Sequence, residues 1–108
     1  MANSFKNAAI SATTSYQTLY TAPSLSEVVV LSLLVTNKTS NVMGVTFRFN
    51  DSSAAASFQM LQNVQIPPNT SLELMQGQKY ILEAGDSYSV LAEADTSIDI
   101  VMGVMEKT

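Results

Sequence analysis

The strongest constraint in this chain is a period of two. From Val42 the sequence runs V-M-G-V-T-F-R-F-N, so Met43, Val45, Phe47 and Phe49 alternate with Gly44, Thr46, Arg48 and Asn50. Successive side chains of a strand point to opposite faces, so this segment is expected to be a strand with one buried face. The last segment repeats the pattern: Ile98, Ile100, Met102 and Val104 alternate with Asp99, Val101, Gly103 and Met105. Glu27 to Asn37 differs. It runs E-V-V-V-L-S-L-L-V-T-N and is apolar on both faces for most of its length. Frequent valine, Pro23 upstream and Asn37 at the end favour a central strand over a helix. A simple alternation puts Val29, Leu31, Leu33 and Val35 on one face and Val28, Val30 and Leu34 on the other. In a two-layer sandwich the second face should meet water. Another element or a partner chain is therefore expected to cover it.

Turn signals separate the runs. Asn37-Lys38-Thr39-Ser40-Asn41, Asn50-Asp51-Ser52-Ser53, Pro67-Pro68-Asn69-Thr70, Gln76-Gly77-Gln78 and Ala84-Gly85-Asp86-Ser87 punctuate the chain. The last is the sharpest, because glycine permits positive φ and aspartate bonds locally. Between them lie Ser57 to Ile66, Ser71 to Met75, Lys79 to Glu83 and Ser87 to Ala94, with an N-terminal run from Tyr16 to Tyr20. About seven or eight short strands with turns roughly every ten residues predict an all-β, single-domain antiparallel β-sandwich, jelly-roll or immunoglobulin-like. A helical turn is expected at Ala54 to Phe58, where three alanines favour it. Residues 1–12 are weakly patterned and read as an N-terminal arm or first strand, with residues 13–108 forming the sandwich.

Composition narrows the function. The chain has 108 residues, of which 13% are charged, with a net charge of -4. An average soluble domain carries about 25% charged residues. Lys6, Lys38, Arg48, Lys79 and Lys107 are the whole cationic complement, which is too sparse for phosphate neutralisation or an anionic membrane surface. Nucleic acid and membrane are thus not expected partners. The longest apolar run, Val28 to Val35, is interrupted by Ser32 and falls short of the ~20 residues of a spanning helix. The start of the chain lacks a charged segment followed by an apolar one, so synthesis in a host cytoplasm without a signal peptide is expected. The sequons at Asn37 and Asn69 then have no consequence.

Chemistry is scarce. Cysteine and histidine are both absent, which removes disulfides, zinc sites and Ser-His or Cys-His catalysis. No phosphate-cradling glycine loop occurs, and Lys79 with Glu83 or Asp86 reads as a solvated turn and not a catalytic dyad. No enzymatic activity and no cofactor are expected. The tightest acidic group is Glu93, Asp95 and Asp99; as calcium ligands these compete with a plain solvated turn, and they match no 12-residue calcium loop. Tyr16, Tyr20, Tyr80 and Tyr88 would make a carbohydrate- or receptor-binding platform only if they shared one exposed face; the competing reading places them at the ends of the core.

What remains is surface. Val101 and Met105 lie opposite Ile98, Ile100, Met102 and Val104, and together with Val28, Val30 and Leu34 they suggest a second apolar face. A subunit interface through these residues is expected, with the Phe5 to Ile10 arm reaching a neighbour.

Several strings then carry a resemblance. Tyr20-Thr21-Ala22-Pro23-Ser24, the valine-rich strand ending in Thr36-Asn37, Val64-Gln65-Ile66-Pro67-Pro68-Asn69-Thr70-Ser71-Leu72, Tyr80-Ile81-Leu82-Glu83-Ala84-Gly85-Asp86-Ser87 and a final strand ending in Glu106 occur in that order. The order resembles small β-sandwich virion structural proteins of tailed bacteriophages, over nearly the whole chain from about Phe5. The most specific piece is the Leu82 to Asp86 turn followed by Val90. Leu25 departs from the pattern, where a small residue is expected, and leaves the exposure of that loop open. The resemblance implies a non-catalytic particle component that binds other virion proteins and its own copies. It would act as a capsid decoration or cement protein, or alternatively as a neck or tail adaptor ring.

Overall fold

The computed structural model describes residues 3–74 and 80–107. Among them nine strands form: β1 (Asn3–Ser11), β2 (Gln17–Thr21), β3 (Glu27–Asn37), β4 (Met43–Asp51), β5 (Ala56–Ile66), β6 (Ser71–Glu73), β7 (Tyr80–Glu83), β8 (Ser87–Ala92) and β9 (Ile98–Lys107). All pairings are antiparallel. One sheet runs β1-β9-β3-β6, with β7 also on β3, and the other runs β2-β8-β4-β5. The two sheets pack on a shared apolar core as a β-sandwich. The chain crosses from one sheet to the other at almost every step, and β6 and β7 together occupy one strand position. That is the jelly-roll form of the sandwich, in which two sheets wind together as Greek keys. Within the segment expected as an arm or first strand, Asn3–Ser11 form edge strand β1, paired along its length with β9.

The alternation in β9 is realised as expected, with Ile98, Ile100, Met102 and Val104 buried. In β4, Val45 and Phe47 are buried and Met43 and Phe49 pack against the core, but Gly44 and Thr46 between them are buried as well. The two-faced β3 has a different explanation from the expected covered face. Val30 pairs with Val104, but Ser32 pairs with Gly103, so Leu31 is an extra residue opposite β9. A bulge shifts the phase of a strand by one residue. Val28 and Val30 therefore face the core before the bulge, and Leu33 and Val35 face it after. Much of the apparent second apolar face belongs to the same core.

Turn chemistry fixes the connections. Gly85 adopts φ 89°, and Asp86 accepts from the Glu83 amide within its own turn. The same buried carboxylate accepts from the Ser52 amide and hydroxyl, tying the β7–β8 turn to the β4–β5 loop. The expected helical turn at Ala54 to Phe58 does not form. Asp51 accepts from the Ser53 and Ala54 amides, Ala55 takes φ 51°, and β5 begins at Ala56. Asn37, the first residue of a sequon, is fully buried. Its amide donates to the carbonyls of Asn41, Ile66 and Pro67, so it knots two loops together. Met75, the Gln76-Gly77-Gln78 turn and Lys79, with the dyad drawn through it, lie outside the described residues.

Candidate subunit interface

The pairing registers arrange the outward side chains of the larger sheet in rows across its strands. Phe5, Met105, Val29 and Ile81 form one row, each the direct partner of the next. Ala9, Val101 and Leu34 form a second, ending at Glu73. Between them run Asn7, Gly103 and Ser32. An open groove of about 350 Å³ lies there, lined by Phe5, Asn7, Leu31, Ser32 and Gly103 among others. A side-chain carbon on Gly103 would come 2.8 Å from the Ser32 hydroxyl, so glycine keeps the groove floor low. Charged and polar rows close both ends: Asn3, Lys107, Glu27 and Glu83 on one side, Ser11, Asp99, Thr36 and Ser71 on the other. Phe5 is 74% exposed, Ile81 55%, Val101 41% and Leu34 38%. An apolar field with a polar border is how a protein contact surface is built.

Of the expected interface residues, Phe5, Leu34, Val101 and Met105 lie on this face. Val28, Val30 and Ile10 do not. Val28 and Val30 are fully buried because the bulge sets their phase inward. Ile10 pairs with core-facing Ile100 and packs against the core. Val29 and Ile81 replace them, and both were legible only once the bulge and the β3–β7 register were known.

Charges are held at the borders. Glu106 points inward at the end of β9 and is buried. It accepts from the Tyr20 hydroxyl on β2 and from Lys6 on β1, whose ammonium is 2.9 Å away. The Tyr20 hydroxyl, then Lys6, hold its carboxyl below the usual carboxylate range. Burial, then the Glu106 carboxylate, push the Tyr20 hydroxyl up. The cluster fastens edge strand β1 to both sheets. At the other end Asp99 accepts from Ser11 and pairs with Lys38 at 3.0 Å, and these two contacts, Ser11 first, lower its carboxyl.

The outward face of the smaller sheet is different in kind. Asn50 donates to Ser87 and Ser89 and accepts from Ser57. The Arg48 guanidinium lies 3.7 Å above the Tyr16 ring, and Gln59 donates to the Tyr16 hydroxyl. The four tyrosines share no face. Tyr16 lies under Arg48, Tyr20 is engaged by Glu106, Tyr88 is buried in the core, and Tyr80 is on β7.

The acidic trio is also dispersed. Glu93 accepts from the Gly44 amide, Asp95 from the Thr14 amide at 2.9 Å, and Asp99 from Ser11. Among the described residues no group of three or more acidic side chains is placed to hold a metal ion. The linear spacing of Glu93, Asp95 and Asp99 thus does not become a site. Leu25, the departure from the resemblance, is 93% exposed at φ 60° in the β2–β3 loop.

No known protein family and no curated protein matches the sequence. Among solved structures, a protein of Bacillus endospore appendages, described as a novel family of disulfide-linked pili, shares the fold. The TM-score is 0.62 at 11% identity, over 99% of this chain and 87% of that one. At that identity the likeness shows the sandwich alone.

Proposed function

We propose that this chain is a non-enzymatic structural protein of a bacteriophage virion, and that it docks on capsid subunits as a decoration or cement protein. The observation that carries the reading is the outward face of the larger sheet: two apolar rows, from Phe5 to Ile81 and from Ala9 to Leu34, bordered by charged and polar rows. Its action would be mechanical. Copies bridge neighbouring subunits, and removing this face from water holds them. The sparse charge fits, because few ions would be stranded in the contact. The sequence strings that resemble those of small virion proteins support the same class. The chain contains no cysteine, so its contacts would be non-covalent, unlike those of the disulfide-linked pili whose fold it shares.

A neck or tail adaptor ring is the alternative place in the same particle. Copy number in purified particles separates the two: hundreds of copies for a decoration protein, about six or twelve for a ring of closed rotational symmetry. Absence of the chain from purified particles would remove the virion reading altogether.

A further inference from the structure

Among the described residues each sheet has two edges, and all but one are interrupted. β6 and β7, which share an edge, are three and four residues long. β2 has five residues and shifts register between Thr18 and Tyr20. β5 shifts twice against β4, and Asn63 within it takes φ 49°. Short strands and bulges keep an edge from pairing with another chain. β1 carries neither device. Its nine residues pair with β9 without a shift, it has no proline, and Asn3 to Asn7 are exposed. Ala12, next in line, donates its amide to the Ile98 carbonyl. Bonded and unbonded pairs alternate along an antiparallel ladder. Ala8 and Ile10 therefore bond to β9, while Phe5, Asn7 and Ala9 turn their amides and carbonyls to the free edge. Among the described residues no second strand reaches that edge.

We infer that β1 pairs with β1 of a second copy, antiparallel about a two-fold axis at Asn7, so that the two larger sheets become one. The strand's own chemistry selects this occupant and this register. With the axis at Asn7, Asn7 faces its own copy, Phe5 faces Ala9 and Asn3 faces Ser11, so the whole strand is used. The outward rows then run on across the join. Ile81, Val29, Met105 and Phe5 continue into Ala9, Val101 and Leu34 of the second copy, and the groove row of Ser32, Gly103 and Asn7 continues into itself. Phe5, 74% exposed, meets a small side chain. Lys6 stands opposite Ala8, and its ion pair with Glu106, the residue across from Ser4, draws it away from the axis. An axis at Lys6 would set two ammonium groups directly opposite, which is unfavourable, and would run the Phe5 row into Asn7. An axis at Ala8 would run Phe5 into Ser11 and leave Asn3 and Ser4 beyond the second strand's end. Adding a strand to an open edge is a common mode of recognition, and like edges meeting about a two-fold give a closed dimer. The inference goes beyond docking on a particle, because it concerns contacts between copies.

Sedimentation and cross-linking of the purified full chain test it without any particle. Wild type is expected to pass from monomer to dimer as concentration rises to about 1 mM, the range of a weak contact. Asn7→Pro removes an amide that points to the free edge and spares the bonds to β9. It is expected to stay monomeric with little change in melting temperature. The chain has no cysteine, so single cysteines read the register. Directly opposed residues of a bonded pair have Cα atoms about 5.5 Å apart, within reach of a disulfide. Asn7→Cys is therefore expected to form a covalent dimer on mild oxidation. Phe5→Cys and Ala9→Cys should each stay unlinked alone and should link to one another when mixed. Should Asn7→Pro melt early, the cysteine pattern decides. Monomeric wild type at that concentration, a folded Asn7→Pro that still dimerises, or an Asn7→Cys that does not cross-link would each overturn the inference. If the edge instead serves a strand of another protein, the first of these results is the one seen. Failure here leaves docking on a particle open to its own test, since the copy number in purified particles does not depend on this join.

Discussion

The two outward faces of this sandwich are built from the same alternation and end in opposite states. On the smaller sheet, Asn50, Ser57, Ser87 and Ser89 bond to one another, and Arg48 is spread over Tyr16. The Asn50 side chain is satisfied by these bonds, whereas the Arg48 Nε is buried without a hydrogen-bond partner among the described residues. On the larger sheet, Phe5, Met105, Val29 and Ile81 run across four strands with no polar side chain among them. Their polar neighbours are confined to the groove and the borders. Low charge therefore means two things in one molecule. On one face it reflects polar side chains that bond mostly to one another, and on the other a surface that gains by being covered.

That contrast can be broken by substitution. The largest effect should come from the inward partner of the apolar face. Val30→Asp places a charge at a fully buried position and should cost about 4 kcal/mol or more. Leu34→Asp, four residues on and outward, should cost under about 1 kcal/mol. Urea unfolding of the two variants reads the bulge directly, and equal losses would mean the phase does not shift at Leu31.

Next comes docking itself. Val101→Asn with Met105→Gln should weaken binding to particles roughly 100-fold, equal to about 2.7 kcal/mol, with little change in melting temperature. Arg48→Gln on the opposite face should change binding less than about 3-fold. The reverse ranking would exchange the roles of the two sheets.

Acid should act on the borders. Glu106 and Asp99 are held below their ordinary values in the folded chain, chiefly by the Tyr20 and Ser11 hydroxyls respectively. Such groups add stability above the ordinary carboxylate range, and it is lost as pH falls through their lowered folded-state values. Wild type should therefore lose stability between about pH 5 and pH 3, and Glu106→Gln should lose less over that window. Denaturant melts across the range, run on both proteins, measure the difference. The smallest effect belongs to the polar face of the smaller sheet. Arg48→Gln removes the cation from the Tyr16 ring and should cost about 0.5–1 kcal/mol in thermal unfolding.

Much of the fold was legible in the sequence because it depended on local order. The alternation of β4 and β9, the bounds of β3 and the Gly85-Asp86 turn all follow from neighbours in the chain. The bulge at Leu31 left no such mark, since both sides of the strand are apolar there and an inserted residue looks like its neighbours. That one residue misassigned Val28 and Val30. The cluster of Glu106, Tyr20 and Lys6 was illegible for another reason: its members are distant in sequence, with Tyr20 and Glu106 86 positions apart. Glu93, Asp95 and Asp99 show the converse, because closeness along the chain gave each a different partner.

The central claim is that the outward face of β1, β9, β3 and β7 is covered by a neighbour in the assembled particle. Imaging of intact particles at side-chain resolution tests it most directly. The account predicts Met105, Val101 and Leu34 against another subunit, with Arg48 and Asn50 facing solvent. A particle in which the chain docks through Arg48 and Asn50, with Met105 and Val101 left in water, would contradict it.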